Sequence, residues 1–285
     1  TFNDFLVMCN GENTPQYWDG ATLSDSGFSS ASLSDAANLV YVEAFNSRLY
    51  FVEKDTANLW YGSAGAVTGG TLELFDVGQV AQYGGYLQAV ATWSSDGGED
   101  LRDYLVLVMS TGEIIVYAGT NPSDANNWSR VASYKAAAVP LRRCAVKVGG
   151  ELVIITREGL VPLSVLSKRG LLADVEADPI YGKIRRAVRD EVQNYSGYDG
   201  WFPHRSQTGE LVVFNQPTKV NNQQTTHQWV LNSATGAWAE WTIPATAWAS
   251  IDGTLYVAAN GQIYRYEGAT DDGESISLQA ETAFV

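Results

Sequence analysis

The chain has 285 residues, 45% hydrophobic and 18% charged, with 9 Trp, 15 Tyr and 27 Gly, a balance that suits a soluble fold of aromatic strands joined by glycine turns. A formal charge of -14 argues against general nucleic-acid binding, which needs Lys and Arg to neutralise phosphates, and suits a surface that nucleic acid passes without sticking. No apolar run approaches the roughly 18 residues of a membrane span, and Cys9 and Cys144 are too few for a disulfide framework or a cysteine-only zinc site.

In chain order, a Leu followed by a β-branched or aromatic run recurs as Leu6-Val7-Met8, Leu49-Tyr50-Phe51, Leu105-Val106-Leu107, Leu152-Val153-Ile154, Leu211-Val212-Val213 and Leu255-Tyr256-Val257. The intervals are roughly 40 to 60 residues, the length of a four-stranded propeller blade with loop insertions. Short turns precede several runs: Asn46-Ser47, Gly149-Gly150 and Asp252-Gly253 are pairs that supply the positive φ of two-residue hairpins. A further strand follows at Tyr17-Trp18, Leu59-Trp60-Tyr61, Ile115-Val116-Tyr117, Leu160-Val161, Trp229-Val230-Leu231 and Ile263-Tyr264, and a fourth in several units, as in TLELFDV, WSRVASY and WAEWTI. A four-stranded antiparallel unit cannot bury both faces alone, and radial stacking solves that while leaving short edges. The expectation is an all-β, six-bladed β-propeller forming one domain over residues 1–285. The first unit lacks a strand before Phe5 and the last continues as SISLQAETAFV, so a C-terminal strand is expected to complete or adjoin the N-terminal blade. The chain opens at Thr1 without a Met, which leaves room for it to be a piece of a longer polypeptide.

The period changes in DPIYGKIRRAVRDEVQNY, residues 178–195, the core of a helical insertion of about 170–195. Ile180, Ile184, Val188, Val192 and Tyr195 fall on one helical face, with Asp178 as N-cap and Pro179 at the first helical position. The opposite face carries Lys183, Arg185, Arg186 and Arg189, joined upstream by Lys168 and Arg169. Three readings are open: a solvated face with Asp190 and Glu191 as neighbours, a contact with passing nucleic acid, or docking on an acidic neighbouring subunit. The last is preferred, because one short basic helix makes a poor nucleic-acid site in a negative field, and Lys183, Arg185, Arg186 and Arg189 are the candidate subunit interface.

Catalytic patterns are missing from the sequence. His204 and His227 have no second His or Cys at metal-ligand spacing, and no nucleophile elbow, Walker A loop or dinucleotide fingerprint is present. No catalytic, metal or cofactor residues are therefore assigned, and the chain reads as a non-enzyme. The acidic stretches SSDGGEDLRD and DDGES read first as turns, with weak Ca²⁺ binding or paired-carboxylate catalysis as lesser readings. Trp60, Trp229, Trp238 and Trp241 read as strand packing rather than a sugar platform. The Asn, Gln and Thr-rich stretch 216–227 reads as a long loop on a propeller face.

The phrases FNSRLYFVEKDTANLWYG, GGYLQAVATWSSDGGEDLRDYLVLVMSTGEIIVYAGTNP, RRCAVKVGGELVIITREGLVPLS and LNSATGAWAEW resemble segments of structural proteins of short-tailed bacteriophages, the tail hub or nozzle class that includes proteins described as stabilising packaged DNA. The resemblance covers most of residues 39–268. It implies propeller-bearing subunits in a ring, commonly a hexamer, around the channel through which the genome leaves, with other tail proteins (adaptor, fibre or needle) as neighbours, DNA in transient passage and the virion as location. It carries over no catalytic residues. Channel-facing surfaces of such a ring are expected to be predominantly acidic. The alternatives are a secreted propeller lectin or glycoside hydrolase, which needs converging carboxylates and exposed aromatics in a pocket, and a cellular propeller used only as an adaptor.

Overall fold

Each hairpin tip is set by local backbone chemistry. Asn46 and Ser47 take φ of 43° and 61°, and Asp252 and Gly253 take 49° and 79°, the left-handed pair that lets two right-twisted strands reverse within two residues. The structure is a computed structural model and describes residues 1–96, 101–169, 178–267, 270, 271, 274 and 275.

The described chain forms six successive antiparallel sheets of three or four strands, each a meander in chain order, followed by a two-stranded pair of Thr270–Asp271 with Glu274–Ser275. The first holds β1 (Leu6–Met8), β2 (Gln16–Trp18) and β3 (Leu23–Asp25). The second holds β4 (Leu39–Phe45), β5 (Arg48–Glu53), β6 (Asn58–Tyr61) and β7 (Glu73–Asp76). The third is β8 (Leu87–Asp96), β9 (Leu101–Met109), β10 (Glu113–Gly119) and β11 (Trp128–Lys135). The fourth is β12 (Ala145–Val148), β13 (Glu151–Thr156) and β14 (Gly159–Pro162). It is followed by the helices α1 (Leu163–Arg169) and α2 (Arg185–Tyr195). The fifth is β15 (Phe202–Arg205), β16 (Leu211–Val220), β17 (Gln223–Asn232) and β18 (Ala237–Trp241). The sixth is β19 (Ala245–Ile251), β20 (Thr254–Ala259) and β21 (Gln262–Tyr266).

The recurrent Leu runs are β1, β5, β9, β13, β16 and β20. Sheets 2, 3 and 5 have the expected four strands, whereas sheets 1, 4 and 6 have three among the described residues. In sheet 4 the helices sit where an outer strand would follow: α1 packs on β13 and β14, and α2 on β14 and β16. First strands stand side by side, β4 against β8, β8 against β12 and β12 against β15, the blade order of a β-propeller.

Both faces of the central sheets are buried, each against a different neighbour. On β9, Leu105, Leu107 and Met109 join a core with Tyr50, Val52, Leu59 and Tyr61 of sheet 2. The intervening Val106 and Val108 face the opposite way, into a core with Leu152 and Ile154 of sheet 4. On β16, Val212 and Phe214 join that same core, while Val213 packs with Trp248, Leu255 and Val257 of sheet 6. Side chains alternate across a strand, so a strand sandwiched between two blades must be apolar at every position, and the Leu runs are.

Sheets 5 and 6 are also joined by a buried polar knot. Asn215 Oδ1 accepts from Gln228 Nε2 (2.9 Å) and Trp248 Nε1 (3.2 Å), and its Nδ2 donates to the Gly200 carbonyl (2.9 Å). Gln228 donates to and accepts from the Ile243 backbone at 2.8 and 3.1 Å. Every polar atom of these two amides' inner faces is thereby used, as burial demands.

Two expectations need correction. Residues 216–227 are not a loop: β16 and β17 pair without interruption from Leu211↔Asn232 to Val220↔Gln223. The turn is Asn221-Asn222, with φ of 50° and 64°, and Gln216, Thr218 and Gln228 are buried within the ladder. Polar composition concealed a strand pair whose side chains turn partly inward, Thr226 Oγ1 donating to the backbone carbonyls of Ile243 and Ala245, both at 3.0 Å. The helix is also shorter than 178–195. Asp178 Oδ1 accepts from the Ile180 and Tyr181 amides, closing a turn before a 3₁₀ segment (Gly182–Ile184), and α2 begins only at Arg185. Among the described residues, the terminal sheets carry exposed apolar side chains: Leu6, Met8, Trp18 and Leu23 on sheet 1, and Ile251 and the 77% exposed Ile263 on sheet 6. Of the expected closing strand only Ser275 is described, paired with Thr270; residues 276–285 lie outside the described residues, as do 97–100 of the acidic loop.

Asn215→Ala should lower stability by about 2–4 kcal/mol, because it strands the Gln228 and Trp248 donors in a dry interface. The check is the urea midpoint at unchanged m-value; a shift below about 0.5 kcal/mol would show that the knot is not a structural tie.

Candidate functional site

The inserted helix takes its orientation from what it buries. Val188 and Val192 are buried, and Ile180, Ile184 and Tyr195 pack against the same core. Trp238 Nε1 of β18 donates to the Ile180 carbonyl and Trp201 Nε1 to the Tyr195 carbonyl, both at 2.9 Å, which pins the segment at each end. Close approach to sheet 4 depends on Gly159. Its φ is 110°, and a Cβ there would stand 3.0 Å from Arg185 Cγ and 3.2 Å from the Arg185 carbonyl oxygen.

That docking divides the four predicted interface residues into two pairs. Arg185 Nε donates to the Glu158 carbonyl (3.1 Å) and its Nη2 to the Glu158 carboxylate (3.2 Å). Arg189 pairs with Asp190 at 3.2 Å. Lys183 and Arg186 are exposed and make no ion pair among the described residues. The expected four-residue basic patch is therefore two outward cations, with two others committed within the chain. The side chains of Lys168 and Arg169 lie outside the described part.

A second site was not foreseen. The first strands of sheets 2 to 5 border an open depression of about 340 Å³. Its lining includes Tyr41 and Glu43 of β4, Thr92 of β8, Lys147 of β12, and His204 and Arg205 of β15. Burial pushes the Glu43 carboxyl from its ordinary 4.5 up to about 7, with Lys147 pulling the other way. His204 Nε2 lies 2.9 Å from Ser250 Oγ of β19, and burial lowers its pKa. Its Nδ1 has no partner among the described residues, so the pair lacks the third group that fixes a catalytic tautomer. Next to the depression, Arg143 lies over the Phe202 ring at 5.6 Å. Burial raises the thiols of Cys9 and Cys144 to about 12, the setting of packing residues and not of thiolate nucleophiles. The signal for this site was the polar residue breaking an apolar first strand, in units too far apart in sequence to be read together.

His227, expected in a loop, lies on β17 with Nδ1 3.0 Å from Glu240 Oε1 of β18. Glu191 of α2 is nearby, its carboxyl raised chiefly by burial. No group of three or more His, Cys, Asp or Glu among the described residues is placed to hold a metal. No helix among them is long and apolar enough to cross a membrane.

No protein-family model and no curated protein matches the chain. Solved structures similar to it include Hsv2 of Kluyveromyces lactis, at 11% identity and a TM-score of 0.44 over 97% of this chain and 75% of that one. The WD40 domain of SCAP from fission yeast aligns at 10% identity and a TM-score of 0.38, over 89% and 61%. The β-propeller domain of Cps50 (Swd1) from Myceliophteria thermophila aligns at 12% and 0.37, over 78% and 63%. None of these three is a tail protein, and at such scores the propeller assignment stands on the strand order and stacking of the chain itself.

The Glu43 shift has a definite sign. The folded state holds a proton that the unfolded chain has released, so the carboxyl erodes stability as pH rises from about 4.5 to about 7. Glu43→Gln should melt with the parent protein near pH 4 and above it at pH 8. Melting curves that coincide at both values would mean that the carboxyl is solvated like a surface acid.

Proposed function

We propose that the chain is the propeller body of a ring-forming structural protein in the tail of a short-tailed bacteriophage, a hub or nozzle component surrounding the DNA-exit channel. The observation that carries the reading is the set of four resembling phrases over residues 39–268. Those phrases contribute strands to four of the six sheets, sheets 2 to 5, including the two-sided central sheet 3. A rigid stack of sheets with a net charge of -14 suits a scaffold past which a polyanion slides, since like charge opposes adhesion.

The inserted helix gives this body a handle. Lys183 and Arg186 project from a segment that interrupts the blade series, on an otherwise acidic protein, and a neighbouring acidic copy offers the complementary surface. Arg185 ties the helix to Glu158 of the β13–β14 turn, and Arg189 pairs with its neighbour Asp190 on the same helix. The glycoside hydrolase alternative calls for two carboxyl groups about 5–9.5 Å apart across a substrate; the lining of the depression between the first strands contains one, Glu43.

Lys183→Glu combined with Arg186→Glu should convert rings into single subunits while leaving the melting temperature within about 2 °C, because neither residue packs in the core. Negative-stain images and native mass spectra of both proteins decide it. A parent chain that remains monomeric together with its tail neighbours, or a charge-reversed variant that still forms rings, would defeat the assignment; hydrolysis or capture of a glycan would favour the alternative.

A further inference from the structure

The seat beneath α2 is apolar on one side and polar on the other. Val188 and Val192 are buried in the core shared with sheet 4, whereas β17 presents a polar row on the face that sheet 5 turns to the helix. Thr225, His227 and Trp229 share that face at alternate positions, with Gln216 of β16 opposite His227 and Glu240 of β18 opposite Trp229. Trp229 packs against the same core as Val188 and Val192, which sets the row beside the helix. Four side-chain atoms here are closed off from solvent and bond no described residue: Glu191 Oε2 of α2, Gln216 Oε1, Thr225 Oγ1 and Trp229 Nε1. Gln216 as a whole is 2% exposed. Three of the four are oxygens, and a buried oxygen without a donor has lost its water uncompensated.

His227 lies in the middle of this row and can supply the donor. Its Nδ1 is 3.0 Å from Glu240 Oε1; an ionised carboxylate only accepts, so Nδ1 carries the hydrogen and the neutral ring leaves Nε2 bare. Nε2 bonds no described residue. A histidine ordinarily gains its second proton as pH falls from 8 to 5. That proton would turn Nε2 into a donor among acceptors and set a positive ring between two carboxyls, Glu240 on the sheet and Glu191 on the helix. Burial raises the Glu191 carboxyl, His227 acts on it in the opposite sense, and Glu240 and Asp190 add to the rise.

We infer that Glu191, His227 and Glu240 form a proton-operated clasp that holds α2 on sheet 5. With the helix seated, a charged His227 faces two carboxyls; with the helix lifted, it faces Glu240 alone. Protonation therefore favours the seated helix, and by linkage a fall in pH from 8 to 6 closes the clasp while a rise opens it. Burial of Glu191 acts in the same direction, because its carboxyl holds a proton more tightly when seated. The charged groups around His227 are Glu240 from β18 and Glu191 from α2, with Asp190 beside Glu191 and itself paired with Arg189. Its neighbours from β16, Gln216 and Thr218, carry no charge. The clasp works within one chain, so it stands apart from the tail assignment, and it sets how firmly the segment bearing Lys183 and Arg186 is held to the blades.

The test is hydrogen exchange of the purified chain followed by mass spectrometry at pH 6 and pH 8, corrected for intrinsic exchange, on peptides of α2 and of β9. The parent should protect α2 about threefold better at pH 6, the size expected of a half-exposed ion pair, through an opening that leaves β9 protected. His227→Gln removes the titrating ring, and Glu191→Gln removes the carboxyl that distinguishes the seated helix from the lifted one. Each alone should flatten the pH dependence of α2, so one folded variant suffices to read it. Lys183→Gln with Arg186→Gln should leave it in place. Equal α2 protection at pH 6 and pH 8 in the parent, a pH dependence that survives either glutamine variant, or α2 exchange that occurs only together with β9 would each overturn the proposal.

Discussion

An antiparallel sheet with apolar residues on both faces cannot be satisfied by one partner, and this constraint organises the molecule. β9 sends Leu105, Leu107 and Met109 to one neighbour and Val106 and Val108 to another. β5 divides in the same way, with Tyr50 and Val52 facing sheet 3 and Leu49 and Phe51 facing the other direction. Each interior blade therefore serves as the lid of two cores, and removing one would expose two. Among the described residues, Leu6 and Leu23 of the first sheet and Ile251 and Ile263 of the sixth remain in contact with solvent.

Stacking of this kind leaves polar choices at two places, the meeting of the first strands and the outer rim. Where the first strands meet, side chains range from half-buried Glu43 to exposed Lys147 and Arg205. Glu43 is the clearest case: its carboxyl is shifted to about 7 because the surrounding strands remove water without supplying a hydrogen-bond donor. At the rim the chain uses ordinary pairing. Tyr61 donates to Glu73 at 2.7 Å, Ser123 Oγ donates to the same carboxylate oxygen at 2.5 Å, and Ser123 also lies 2.6 Å from the Tyr61 hydroxyl, which ties the outer strand of sheet 2 to the turn before β11.

Much of this was legible in the sequence, and the legible parts share a cause. The Leu runs, the tips at Asn46-Ser47 and Asp252-Gly253, and the apolar face from Ile180 to Tyr195 are set by neighbours within a few residues, where periodicity and turn chemistry speak directly. What was missed is non-local. Arg185 is withdrawn from the expected patch by Glu158, 27 positions away, and the depression brings together Glu43, Lys147 and Arg205 from three separate units. The β16–β17 ladder was misread as a loop: the row of Asn, Gln and Thr in 216–227 reads as solvent-facing until the Asn221-Asn222 turn and the bonds among Asn215, Gln228 and Trp248 are seen.

If shared faces hold the blades together, the interior sheets cannot open separately. Hydrogen exchange followed by mass spectrometry across a urea series reads this directly, through the amides of β5, β9, β13 and β16. The account predicts that all four strands lose protection together, at one urea concentration, as a single cooperative unit. Loss of protection in one of these strands while the other three stay protected would contradict it, because that sheet would then possess a core of its own.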